Sequence, residues 1–208
     1  MLRRLTILAF ITAATSIPLQ SAHAGCDVTP YIGASVPTKS LILSSSGSGA
    51  ILRNSTYTVY GLGISHSMSE RFGLELVLGA GTGNIEIVSS GALQLASTLL
   101  MADVRGKYRI VGGDDAHIGL VAGVGYTQQK VGLFDYAQTN DLGDFKAKLT
   151  GIYGLSFDSR LSDQLNLSME MVDRIREQGA ELTGLTGVKA PTQHDITITA
   201  GLSFPLMK

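Results

Sequence analysis

The sequence predicts an all-β fold, namely an eight-stranded antiparallel up-and-down transmembrane β-barrel. Three observations lead to this prediction. Eight segments alternate apolar side chains with small or polar ones, the period-2 pattern of a strand that has two different faces. Short turns and long loops alternate along the chain. One face of the strands carries most of the leucine, isoleucine and phenylalanine, whereas the other carries glycine, threonine, serine and a few charges.

The composition excludes several other classes of protein. The chain has 208 residues, of which 44% are apolar and 16% are charged, with 25 glycines and one cysteine. Beyond the N-terminus, no apolar run reaches the roughly 20 residues that a transmembrane helix needs. The single cysteine excludes a disulfide scaffold. The chain has 16 basic and 17 acidic residues, so there is no electrostatic basis for binding nucleic acid, and we expect no such partner.

Residues 1–24 have the features of a secretory signal peptide. Two arginines precede a short apolar stretch, and small residues form an A-x-A site that ends at Ala24. We predict cleavage between Ala24 and Gly25, which leaves residues 25–208 as one barrel domain. A membrane anchor is disfavoured because the apolar stretch is too short to span a bilayer. The end of this segment also resembles a lipoprotein signal, so lipidation of Cys26 stays open.

The eight predicted strands follow one another through the mature chain. In residues 72–82, for example, apolar side chains occupy the even positions from 72 to 80, and glycine, valine and one glutamate occupy the odd positions. The first two strands alternate less cleanly than the others. The strands are predicted at residues 28–36, 56–67, 72–82, 93–110, 116–129, 145–159, 165–172 and 195–204.

The connections between these strands alternate in length. The long loops are predicted at residues 37–55, 83–92, 130–144 and 177–192. The short turns are predicted at residues 68–71, 111–115 and 160–163. Because an antiparallel chain reverses at each connection, the short turns lie on one side of the membrane and the long loops on the other.

The bulky face is predicted to contact lipid. A soluble barrel also alternates, but it buries its large apolar side chains and exposes charge, whereas the small-residue face here is charge-poor for a surface in water. An eight-stranded barrel has an interior just wide enough for side chains, which small residues and a few charges can fill. The aromatic residues beside short turns or the C-terminus all lie on the apolar face, and we interpret them as a periplasmic girdle: Phe72, Tyr108, Phe157 and Phe204.

A polar network is predicted inside the barrel. An isolated charge is costly in a narrow interior, so we expect Glu75 to pair with Arg105, and Glu170 with a lysine or arginine. A structural plug and a proton or ion path are both compatible with such a network, and the small interior favours the plug. His117 shares the inward positions of the network, whose members are Glu75, Asp103, Arg105, Lys107, Lys146, Lys148, Glu170, Arg174 and Asp195.

With these features the chain resembles the eight-stranded outer-membrane barrels of Gram-negative bacteria, the OmpA/OmpX-like and opacity-type surface proteins. The resemblance rests on the opening strand at residues 31–36, on the alternating strands and loops, and on the last strand. Residues 199–206 look like the C-terminal signal that barrel-assembly machinery reads. The resemblance implies an outer-membrane protein that contacts outer-membrane lipid and that machinery, and that is a monomer.

An enzyme is an alternative, because some small outer-membrane barrels act on lipid A with a histidine and a serine near the surface. The mature chain contains His66, His117 and His194, and only His194 lies near the loop side. Its neighbour Asp195 points to the opposite face of the strand, so the two cannot form a hydrogen-bonded pair. We predict no enzymatic activity and no catalytic residues. We also predict no metal and no cofactor, since neither metal-ligand spacing nor a nucleotide motif is present.

The long loops are the remaining candidates for function, because rigid scaffolds display functional residues on loops. The first loop, residues 37–55, is rich in serine and glycine but also contains leucine and isoleucine. We expect a non-enzymatic surface protein with a structural or adhesive role, in which four extracellular loops meet a host or surface ligand. The alternative is the binding or passage of small hydrophobic molecules through the barrel or a lateral opening.

Overall fold

The computed structural model describes residues 25–38, 41–43, 50–88, 92–132, 147–177 and 192–207. The predicted signal peptide, residues 1–24, lies outside them, so its cleavage stays a prediction. Within the described residues, no helix is long and apolar enough to cross a membrane.

Antiparallel strands form a closed barrel wall. The first strand pairs with the last strand on one side and with the following wall strand on the other, which closes the sheet. Eight strands build the wall, and two further short strands precede the second wall strand. The predicted fold class is confirmed. The ten strands are β1 (Cys26–Pro37), β2 (Leu41–Leu43), β3 (Ala50–Asn54), β4 (Tyr57–Ser67), β5 (Phe72–Val88), β6 (Ala92–Gly112), β7 (Ala116–Gly132), β8 (Lys148–Ser162), β9 (Leu165–Glu177) and β10 (Thr192–Met207).

The β5–β6 hairpin is longer than predicted. Its ladder runs from the pair Phe72–Tyr108 up to the pair Val88–Ala92, so the prediction of a loop over residues 83–92 was wrong. Above Thr82 the outward residues Asn84, Glu86 and Gln94 are polar, whereas the inward residues Ile85 and Leu95 are buried, in part the reverse of the pattern lower in the same strands. The reversal hides the strand from an analysis that assumes one polarity for each face.

The predicted first loop, residues 37–55, also contains strands. β2 pairs with β3, and β3 pairs with β5 above β4. The register of β3 and β4 against β5 shifts by one residue between Asn54 and Tyr57. One extra residue on one strand is the definition of a β-bulge. Ser55 bridges this break, because its Oγ donates to the Asn84 carbonyl (2.8 Å) and accepts from the Asn84 N–H (2.7 Å).

The outer surface is apolar over most of the wall. Outward side chains such as Leu78, Leu120 and Leu149 are 49–63% exposed, as expected where lipid replaces water. The four aromatic residues that we interpret as a periplasmic girdle point outward, and two of them are direct partners across the β5–β6 ladder. These residues are Phe72, Tyr108, Phe157 and Phe204.

Candidate functional site

A buried ion network centred on Asp103 crosses the interior of the barrel. Arg174 donates to both oxygens of Asp103, Nη1 to Oδ2 and Nη2 to Oδ1, each at 2.7 Å. Arg105 Nη2 donates to Asp103 Oδ2, also at 2.7 Å. All three side chains are at most 5% exposed. The paired bonds from one guanidinium to one carboxylate hold Asp103 in a fixed orientation.

Glycine makes room for this carboxylate on the neighbouring strand. Gly125 pairs with Asp103 across β6 and β7. A Cβ at Gly125 would lie 2.0 Å from Asp103 Oδ1, a distance shorter than Cβ atoms show in protein structures. The crowding of glycine on the inward face therefore serves the charged side chains as well as the narrow lumen.

Two further carboxylates extend the network toward the periplasmic end. Arg105 Nη1 donates to Glu170 Oε2 at 2.7 Å, and Lys107 Nζ lies 2.5 Å from the other oxygen of Glu170. Lys107 Nζ also lies 3.2 Å from Glu75 Oε1. Together with Asp103 and Arg174, these residues comprise three acidic and three basic groups, so their formal charges cancel.

The predicted pairing of Glu75 with Arg105 was wrong. The two residues are direct partners across the β5–β6 ladder, but Arg105 directs its guanidinium to Asp103 and Glu170. Glu75 instead contacts Lys107, its diagonal neighbour on the same face. Glu170 contacts both a lysine and an arginine, the two residue types expected for it.

The remaining predicted interior residues lie apart from this network or outside the described residues. Asp195 is buried and pairs with Arg176 at 3.0 Å near the extracellular end. Lys148 is half-buried at the start of β8, and Lys146 lies outside the described residues. His117 lies at the periplasmic end, 3.4 Å from Asp158.

Sequence analysis missed several buried polar residues of the upper interior. Arg176 continues the inward even positions of β9, so a longer predicted strand would have found it. Gln129 donates from Nε2 to Tyr57 Oη at 2.7 Å and to Asn54 Oδ1 at 3.1 Å. Tyr57 Oη in turn donates to Ser97 Oγ at 3.0 Å. Neutral hydrogen bonds thus accompany the Arg176–Asp195 ion pair toward the extracellular end.

Apolar side chains fill the space between the polar groups. One buried cluster comprises Tyr57, Val59, Leu99 and Met101, and another comprises Val121, Ile152 and Val172. A cavity of about 20 Å³, lined in part by Glu75 and Arg105, has room for about one water molecule.

A wider vestibule lies at the periplasmic end of the barrel. Its volume is about 570 Å³, and charged side chains such as Lys107, Asp158 and Arg160 line it. Across the described residues, no group of three histidine, cysteine, aspartate or glutamate side chains could hold a metal ion.

A second polar cluster lies on the outer wall, and two of its members, Asp173 and His194, lie just beyond the predicted strands 165–172 and 195–204. Tyr153 Oη donates to Asp173 Oδ2 at 2.7 Å, and His194 Nδ1 lies 2.8 Å from the same oxygen. The acidic partner of His194 thus comes from the neighbouring strand β9, and Asp195 faces the interior. A signal for this cluster exists in the sequence, because Asp173 continues the outward positions of Met169 and Met171.

Comparison with known proteins supports the fold. No family model matches the sequence, and no curated protein sequence matches it. The outer membrane protein OprG from Pseudomonas aeruginosa is similar in structure, with a TM-score of 0.62 and 15% identity over 89% of this chain and 97% of that one. Neisserial surface protein A (NspA) has a TM-score of 0.50 and 12% identity over 87% of this chain and 95% of that one. The chain therefore has the fold of the outer-membrane β-barrels, which supports the predicted outer-membrane localisation.

Proposed function

We propose that this chain is a non-conducting, non-enzymatic outer-membrane protein that acts through the part of its barrel projecting beyond the membrane. The observation that carries the proposal is the reversal of polarity along β5 and β6. Below Thr82, these strands present leucine and valine to lipid. Above Thr82, Asn84 and Glu86 face outward, while Ile85 and Leu95 are buried inside with 3% and 2% exposure.

A polar outer surface over buried isoleucine and leucine side chains is typical of a barrel wall surrounded by water. The wall therefore leaves the membrane near Thr82 and continues into the extracellular space. Six further residues of β5 extend the hairpin to Val88, which is about 20 Å along the strand at about 3.3 Å per residue. A rigid projection of this length is suited to present the loops to a ligand outside the cell.

The filled interior supports a display role over conduction. The ion network around Asp103, the two apolar clusters and a cavity of one-water size occupy the lumen. An ion entering this interior would have to separate charge pairs that have little exposure to water, which is costly. The structural-plug interpretation of the network follows from the same contacts.

Shortening the projecting hairpin tests the proposed function. In the variant, residues 84–96 are replaced by a two-residue Asn-Gly turn, which suits an antiparallel hairpin. We expect the variant to fold, as judged by heat-modifiable gel mobility, and bacteria displaying it to lose adhesion to epithelial cells or immobilised matrix protein. A matched control lengthens the periplasmic turn at Gly113 by the same number of residues. Equal adhesion by the shortened variant and the wild type, or porin-sized current steps from the wild type, would refute the proposal.

Passage of small hydrophobic molecules is a second candidate, which one local feature favours. The bulge at residues 55–56 interrupts the wall, and Val59, Leu99 and Met101 lie inside the wall near this level. A small apolar molecule that displaced these side chains would leave the barrel through the wall at the bulge, at the outer edge of the lipid. Loading of a hydrophobic fluorophore into protein-containing vesicles, compared with Val59→Trp vesicles, measures this directly. Faster loading in the wild type alone would favour passage over display.

A further inference from the structure

We propose that Tyr153, Asp173 and His194 form a lipid-binding site on the outer wall, for an outer-leaflet lipid with hydrogen-bond donors where its headgroup joins its acyl chains. The three side chains come from the adjacent strands β8, β9 and β10. Tyr153 and Asp173 are direct partners across the β8–β9 ladder. His194 pairs with Ile175, two residues beyond Asp173 on β9.

The cluster faces the upper half of the membrane. Tyr153 lies four residues above the girdle residue Phe157 on β8, and His194 lies ten residues above Phe204 on β10. With a rise of about 3.3 Å per residue and a tilt of about 40°, these separations are about 10 Å and about 25 Å along the barrel axis. An apolar band is about 25 Å tall, so the cluster extends from near its middle to its outer edge.

The surroundings make a carboxylate unusual at this position. Met171 precedes Asp173 on the same face and is 50% exposed, and Ile198 on β10 is 49% exposed. Polar and ionisable groups that face the apolar part of a membrane are costly unless they are satisfied. Asp173 has only an 11% exposed side chain and receives both of its contacts on Oδ2. Its Oδ1 is buried and has no hydrogen-bond partner among the described residues.

The three side chains leave hydrogen-bonding atoms available for a ligand. Asp173 can accept further hydrogen bonds, because its Oδ1 has no partner among the described residues. Tyr153 is 53% exposed and its hydroxyl donates to Asp173 Oδ2, so a ligand that supplies a donor of its own would take over this hydrogen bond. Because Nδ1 of His194 contacts Asp173, Nε2 remains available on the other side of a ring whose side chain is 34% exposed. The site therefore offers a carboxylate acceptor beside an imidazole.

The chemistry of the acceptor selects among membrane lipids. At the level where acyl chains begin, a diacyl glycerophospholipid presents ester carbonyls, which only accept hydrogen bonds. An acylated glucosamine lipid presents amide N–H groups and, on 3-hydroxyacyl chains, hydroxyl groups at the same level. Only these donors complement the Asp173 carboxylate. We therefore assign the site to an acylated amino-sugar lipid of the outer leaflet.

Native mass spectrometry of the folded barrel tests this assignment. The protein is folded in detergent, incubated with lipid A (a diphosphorylated glucosamine disaccharide with amide-linked 3-hydroxyacyl chains), and compared with protein incubated with phosphatidylglycerol. We expect retention of lipid A by the wild type and by Met171→Leu, a control on the same strand and face. Retention by Asp173→Leu and by His194→Leu is expected to fall about tenfold.

Folding controls separate ligand binding from a structural role. Asp173→Leu removes a carboxylate from the lipid-facing wall, so we expect it to fold into phosphatidylcholine vesicles at least as completely as the wild type. Equal retention of lipid A by all four proteins would overturn the proposal. So would equal retention of phosphatidylglycerol by the wild type, or failure of Asp173→Leu to fold. The adhesion assay of the shortened hairpin does not involve these residues, so the two proposals can fail independently.

Discussion

Removal of the Asp103 carboxylate is expected to destabilise the barrel strongly. In Asp103→Leu, Arg174 loses both of its ion contacts while remaining only 2% exposed, and Arg105 keeps only Glu170. Removing one partner of a buried ion pair costs about 3–5 kcal/mol because the other charge is left without compensation. Asp103 is shared by two arginines, so we expect a value at the upper end of this range.

The double variant Asp103→Leu/Arg174→Met distinguishes pairing from packing. It removes both central charges and leaves Arg105 with Glu170, so we expect at least about 2 kcal/mol of the lost stability to return. The chain contains no tryptophan, so unfolding in urea is followed by heat-modifiable gel mobility in lipid vesicles rather than by tryptophan fluorescence. If the single and double variants had the same unfolding free energy within about 0.5 kcal/mol, the network would not act as a set of coupled ion pairs.

Two further predictions test the outward and inward faces. Leu76→Arg places a charge on the lipid face near the middle of the band and should cost about 2–4 kcal/mol of folding free energy; if folding into vesicles tolerated it better than Glu75→Leu, the assignment of faces would be wrong. Gly125→Ala should cost about 1–3 kcal/mol, because its Cβ would lie 2.0 Å from Asp103 Oδ1. Its control, Gly151→Ala, meets its nearest atom at 3.9 Å and should stay within about 0.5 kcal/mol of the wild type; equal losses in the two alanine variants would contradict the packing argument.

The number and orientation of the wall strands were predictable because they follow from two general properties of the backbone. Successive side chains of a strand point to opposite faces, and a short connection reverses the chain. The same reasoning failed for residues 83–92 because it assigned one polarity to each face. Thr82 and Asn84 face outward like Leu78 but are polar, as expected if the wall has left the membrane at this level.

Ion pairing was less predictable than the inward positions of the residues. Alternation places Glu75 and Arg105 on the same face and even as direct partners. Alternation does not determine which of several nearby opposite charges a long side chain contacts. Arg105 has a planar guanidinium that contacts two carboxylates at once, whereas Lys107 offers a single charged group that lies between Glu75 and Glu170. The competition for partners therefore depends on side-chain geometry.

The outer-wall cluster shows why exceptions to a strand pattern carry functional information. Asp173 follows Met169 and Met171 at outward positions, so alternation alone predicts that it faces lipid. The interior charges form pairs of their own, such as Asp195 with Arg176 at 3.0 Å. The contacts of Asp173 instead are Tyr153 and His194, which also lie on the outer wall. A group of polar side chains that satisfies itself only in part on the lipid-facing surface is best explained by a ligand that comes from the membrane.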